Sequence, residues 1–390
     1  MKHLVRRLSG IFLSLLVAAC ATAPELPATA VNPIFHDERF AAPVEPILDA
    51  DQVFALSDAM KHYLHVEIAP QLRGEGLSRG LIDALSRHDQ LKLEYDSEMT
   101  RTAAQAFDAR RGNCLSLVIM TAALAREIGL QVNFQSVATD ETWSRADDIA
   151  FSSGHVNLTL GQRPLMSTRG YDEYRLLTVD FLPAEDVIGQ YTRPVSEKTI
   201  VAMFMNNRSA EALATGRVDD AYWWARAAIR NAPEYASPYN TLGVVYLRHG
   251  DTAAAEQTFR VVLERKPGDL QAMSNLVVAL DKLGRKAEAD PLRAQLARIE
   301  PNPPFAYYRR GMAAFQRGDY AVAKEMFEKE VARADYNGEL HFWLGVAQLR
   351  LGNDQAARKE LQLALKNSTT RNDHAMYAAK LDHLLSQRTQ

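Results

Sequence analysis

Residues Ala236–Asp269 read ASPYNTLGVVYLRHGDTAAAEQTFRVVLERKPGD, and this stretch decides the architecture of the C-terminal half. Tyr239, Leu242, Gly243 and Tyr246 fall at three- and four-residue steps, which puts them on one face of a helix. Gly250 stands where that helix would stop, and Ala255 and Phe259 begin a second apolar face. Pro267 ends the second helix, because proline lacks the amide and clashes with the preceding turn. The small residues let the two helices approach closely, and the aromatics fill the gaps between hairpins. Working outward, Gly216, Gly250, Gly284, Gly318 and Gly352 follow one another at a constant 34 residues.

That period, with a patterned helix on each side of the glycine, resembles the tetratricopeptide repeat. The resemblance implies an all-α solenoid of five hairpins over 202–371, starting at Ala202, Ala236, Leu270, Pro304 and Gly338. Arg208-Ser209 and Leu276-Val277 replace Leu-Gly in the first and third copies. A helix from Asp373 to Leu385, within 372–390, is expected to cap the stack. In this frame the concave positions of the last two repeats are Phe305, Tyr308, Met312, Phe315, Phe342, Val346 and Leu349. An apolar groove suits an extended peptide or amphipathic helix, so Phe305, Tyr308, Phe315 and Phe342 are the candidate partner contacts. The terminal helix or the N-terminal half could equally cover this face.

The chain starts with basic Lys2, Arg6 and Arg7, then an apolar run from Leu8 to Val17. That is a secretion leader and too short to span a bilayer, which takes about 20 residues. Val17-Ala18-Ala19-Cys20 resembles the lipobox of bacterial lipoproteins, which implies a leader over 1–19 and lipidation of Cys20. Ala21 in place of aspartate implies the outer membrane, facing the periplasm. Pro24, Pro27, Pro33, Pro43 and Pro46 make 20–46 read as a semi-rigid tether.

With Cys20 acylated, Cys114 is the one cysteine left, and a free thiol outside the cytoplasm has to be buried or used. Cys114 follows Asn113, a favoured helix N-cap, and opens a helix carrying Leu115, Val118, Ile119, Ala122, Ala125 and Ile128 on one face. A helix N-terminus with Arg110 and Arg111 nearby favours thiolate over thiol. Helices are expected over Gln52–Ala69 and Leu77–Lys92, and strands over Gln131–Ala138, Gly154–Leu160 and Arg175–Phe181. Helices followed by strands indicate an α+β domain over 47–200. If the last two strands pair antiparallel, His155 and Asp180 lie side by side and can serve Cys114 as base and orienting group. Asp172, in the same hairpin, is an alternative to Asp180.

Tyr95, Thr102-Ala103, Phe107, Arg111-Gly112-Asn113-Cys114, Leu124-Ala125-Arg126 and Gly129-Leu130 resemble the core segment of the bacterial transglutaminase-like superfamily. The resemblance covers about 54–183 and implies a papain-like fold with Cys114, His155 and Asp180 as catalytic residues, in that order. Asn113 stands where many members have aspartate, and the hairpin containing Gly161 to Tyr174 is long. The Cys114 N–H is the expected oxyanion donor, while Tyr95 reads first as a core aromatic and only second as a side chain near the oxyanion.

Hydrophobic residues make up 47% of the chain and charged residues 24%, with net charge −3, so no basic surplus points to nucleic acid. His62, His65 and His88 lack a companion set at ligand spacing, so neither a metal nor a cofactor is expected. The sequence predicts a membrane-anchored cysteine peptidase or amidase acting through a thioester, with repeats for a protein partner. The alternative is a non-catalytic envelope scaffold or assembly lipoprotein.

Overall fold

The computed structural model describes residues 34–86, 91, 93–97, 99–146, 149–161, 176–182 and 189–386. The expected helix over Gln52–Ala69 is broken into α1 (Ala50–Val53), α2 (Asp58–His62), a π-type turn (Tyr63–Glu67) and α3 (Ala69–Glu75). Asp49 and Ser57 cap α1 and α2 with their side chains, so these polar residues are start signals inside the apolar spacing. There follow α4 (Leu77–Ser86), β1 (Glu94–Tyr95), α5 (Ala103–Ala109), β2 (Arg111–Gly112) and α6 (Cys114–Glu127). β1 and β2 form a short parallel pair that brings Tyr95 beside Gly112.

A helix with one apolar face was expected at α6. Instead every residue from Leu115 to Ala125 is buried, Ser116 and Thr121 included. A helix apolar all round is a core helix, and this one is wrapped on all sides. It stops at Gly129, whose φ of 80° suits glycine.

β3 (Gln131–Ala146), β4 (Ile149–Gly161), β5 (Leu177–Val179) and β6 (Thr192–Val195) form an antiparallel sheet in the order β5-β4-β3-β6. The sequence reading assigned no strand to β6, whose Pro194 is tolerated because it lies on an edge.

The remaining chain is helical: α7 (Glu197–Ala214), α8 (Val218–Asn231), α9 (Ser237–His249), α10 (Thr252–Arg265), α11 (Leu270–Lys282), α12 (Lys286–Ile299), α13 (Ala306–Gln316), α14 (Tyr320–Val331), α15 (Gly338–Arg350), α16 (Asp354–Lys366) and α17 (Arg371–Ser386). The five periodic glycines sit between the helices of successive hairpins with φ from 73° to 93°, where an L side chain is strained. That constraint explains the period. A Cβ on Gly311 would come 2.6 Å from the Phe327 ring, so glycine there lets two helices touch.

Three expectations meet a different arrangement. The domain boundary drawn between residues 200 and 202 falls inside a helix, because α7 runs through it unbroken. Ile200, Phe204 and Met205 join the core around α6, whereas Ala212 and Leu213 join the core of the first repeats.

Second, the described end of the proline-rich segment, residues 34–46, is no free tether. Ile34 and Phe40 are buried against the first hairpins, and Phe40 stacks on Tyr222 at 3.9 Å. The Tyr246 hydroxyl donates to the Ile34 carbonyl at 2.6 Å, and Trp223 Nε1 donates to the Ala41 carbonyl at 2.6 Å. Large apolar residues between the prolines, which a spacer would lack, dock this stretch.

Third, two of the four candidate partner contacts are interior residues. Phe305 and Tyr308 are 3% and 4% exposed and pack with Phe327 and Leu344. Phe342 stacks on Tyr377 of α17 at 5.0 Å, and Phe315 meets the rings of Tyr320 and Trp343. Phe305 and Tyr308 fill the solenoid, whereas Phe315 and Phe342 are half-buried, Phe342 against the terminal helix.

Candidate functional site

Asn113 starts α6 with extended backbone, and its Oδ1 accepts the Ser116 N–H at 2.9 Å. Cys114 is therefore the first helical residue, half-buried, with its amide among those that have no partner inside the helix. Gly112 makes the tight approach possible: a Cβ there would stand 2.7 Å from the Ser116 Cβ. Just upstream, Arg110 adopts the left-handed region at φ 53° and turns the chain out of α5.

His155 lies on β4 beside β5, in a ladder that pairs Leu158 with Val179 and Leu160 with Leu177. In that register the next residue after β5, Asp180, falls close to His155. Its Oδ1 is 2.7 Å from His155 Nε2. Asp180 Oδ1 also accepts the Leu182 N–H at 2.9 Å, and Oδ2 accepts Asn157 Nδ2 at 2.8 Å. The carboxylate thus holds a turn and an imidazole together.

The Cys114 side chain lies near enough to His155 to favour the charged imidazole. Burial opposes charge on His155, but the hydrogen bond to Asp180 and the nearby Cys114 sulfur, with their charges, outweigh it and raise its pKa to about 9. Burial likewise opposes charge on Asp180, and the His155, Leu182 and Asn157 donors still hold its carboxyl below the ordinary carboxylate range. Tyr95 also belongs here. Desolvation of its hydroxyl, then the Cys114 and Asp96 charges, push the phenol up, so it stays a donor.

Cys114, His155 and Asp180, drawn from α6, β4 and the end of β5, are thus contiguous. Asp172, Cys20 and His88 lie outside the described residues. His62 and His65 are surface residues near Glu67 and Glu127. Among the described residues no group of three His, Cys, Asp or Glu could hold a metal ion. Asn157 was missed by sequence reasoning, although its place two residues after His155 puts it on the same strand face.

A family model described as tetratricopeptide repeat matches residues 240–302 and 308–372. The hairpins between residues 240 and 372 are tetratricopeptide repeats. Repeats of this kind generally bind protein or peptide partners. The chain is 24% identical over 153 residues to the TPR repeat-containing protein YvcD of Bacillus subtilis (strain 168), covering 39% of this chain and 31% of that one. It is 32% identical over 135 residues to the cellulose synthase operon protein C of Pseudomonas fluorescens (strain SBW25), covering 33% and 10%. The chain therefore spans a third or less of the length of these relatives. The solved structure of TTC0263, a thermophilic TPR protein in Thermus thermophilus, shares 20% identity and a TM-score of 0.31, over 46% of this chain and 98% of that one.

Proposed function

We propose that this chain is a protein-binding repeat lipoprotein that carries a thiol acyl-transfer site on a transglutaminase-like, papain-like domain. The observation that carries the reading is one imidazole: His155, hydrogen-bonded to Asp180 and electrostatically coupled to Cys114. In this reading His155 already holds the thiol proton as imidazolium when the Cys114 sulfur attacks an amide carbonyl. Asp180 fixes the tautomer, and the Cys114 N–H and the Tyr95 hydroxyl meet the oxyanion. The imidazolium then protonates the leaving amine. A thioester remains, which water cleaves with His155 as base. Lipid on Cys20 would hold the protein at the outer membrane, on the periplasmic face.

Turnover of p-nitrophenyl acetate tests this. A burst of about one equivalent of nitrophenol per chain is expected, lost in Cys114→Ser. Equal traces from the two proteins would overturn the enzymatic reading.

A second reading is a non-catalytic envelope scaffold or assembly protein that works through its repeats. A specific observation favours it: the matched family residues, 240–302 and 308–372, all lie in the repeats, so the comparisons stand nearer to this reading. An equal trace from Cys114→Ser would leave it in possession.

A further inference from the structure

Thr100 stands where the thiol site meets the first repeat. It is 1% exposed. Its hydroxyl accepts Asn113 Nδ2 at 2.9 Å from one side and Asn207 Nδ2 at 3.2 Å from the other. Its N–H donates to Glu211 Oε1 at 2.6 Å. Asn207 and Glu211 are four residues apart on α7 and so share a helix face. Asn113, in turn, accepts both the N–H and the hydroxyl of Ser116, at 2.9 and 2.7 Å. Ser116 Oγ accepts the Arg101 N–H at 2.8 Å. A continuous chain of hydrogen bonds therefore runs from a repeat helix to the first turn of the helix that carries Cys114.

We infer that Asn207 and Glu211 are positioning residues for the Cys114 site: through Thr100 they hold Asn113, and Asn113 sets the helix start that aims the thiol at His155. The inference rests on the thiol acyl-transfer reading and extends it to the repeat array.

Three further observations support it. α7 passes from one core to the other without a break, so no hinge lies between Glu211 and the packing around α6. The far end of the array grips the same loop, since Ser97 N–H and hydroxyl donate to the Thr369 carbonyl at 3.1 and 3.3 Å. Thr369 lies between α16 and α17, so both ends of the solenoid land within a few residues of Thr100. Finally, Glu211 is not an ordinary surface carboxylate. Burial pushes its carboxyl up, against the pull of its Thr100 and Arg208 bonds, and it is held there as an acceptor for a loop amide.

The test uses the full chain and the nitrophenol burst. Thr100→Val keeps the shape but removes the hydroxyl, and Asn207→Leu removes its repeat-side donor. Each is expected to slow the burst roughly tenfold or more, because small displacements of a reacting group are costly. Each is also expected to change the pH profile of the burst. Thr100→Ser restores the hydroxyl and with it most of the rate. Phe327→Ala, a cavity in a distant repeat, lowers the melting temperature at least as much while leaving the burst rate and pH profile alone. A wild-type chain with no burst overturns this inference together with the reading beneath it. A wild-type burst that survives unchanged in folded Thr100→Val and Asn207→Leu overturns this inference alone. So does a burst that falls equally in Phe327→Ala.

Discussion

His155 Nε2 and Asp180 Oδ1 lie 2.7 Å apart although 25 residues separate them in the chain. The β4–β5 ladder brings them together, and the Leu182 amide and Asn157 side chain fix the carboxylate that receives the imidazole. Asp180→Asn leaves the strands in place but offers the ring an amide that can stabilise the wrong tautomer. The acylation rate should fall on the order of 10²-fold or more, with the fold retained by circular dichroism. A rate within a factor of about two of wild type would remove Asp180 from the account.

The imidazole also makes stability depend on pH. The folded pKa of His155, about 9, lies above its ordinary 6.5. Its contribution is whole below about pH 6.5 and is lost as pH rises through about 9. The melting temperature of wild type should therefore drop across that window, and His155→Gln should flatten the drop. Parallel curves for the two proteins would contradict the assignment of charge.

The docked N-terminal segment should matter to the repeats. Phe40 is 7% exposed and stacked on Tyr222. Phe40→Ala should cost about 3 kcal/mol in denaturant unfolding. No measurable loss would mean that residues 34–46 do not stay on the hairpins.

Backbone conformation separates two glycines of one repeat. Gly250 has φ 93°, whereas Gly268 has neither a positive φ nor a neighbour within 4 Å of an added Cβ. Gly250→Ala should lower stability by about 1–2 kcal/mol. Gly268→Ala should stay within about 0.5 kcal/mol of wild type.

The repeats were legible because their signal is steric. A glycine forced to positive φ at each hairpin recurs at a fixed interval, and no burial pattern is needed to see it. Asn113 was legible for a similar reason, as a cap next to an apolar helix. Partner assignments made from periodic position alone fared worse. Phe305 and Tyr308 have the spacing of groove residues, but whether a ring faces outward or fills the gap between hairpins depends on neighbours from other helices. The docking of Ile34 and Phe40 was hidden by surrounding prolines, whose composition suggests a spacer. Thr100, Asn207 and Glu211 carried no signal at all. Their pairing is made by contact across 107 to 111 residues of chain, and each alone reads as an ordinary polar residue.

The most direct measurement is the second-order rate of iodoacetamide alkylation of Cys114 at about pH 7, followed by mass spectrometry on wild type and His155→Ala. An ordinary thiol is only a few per cent ionised there, so contact with the imidazole has room to act. The account predicts a wild-type rate roughly tenfold or more above that of a free cysteine, falling to that level in His155→Ala. A wild-type rate no faster than free cysteine would contradict it.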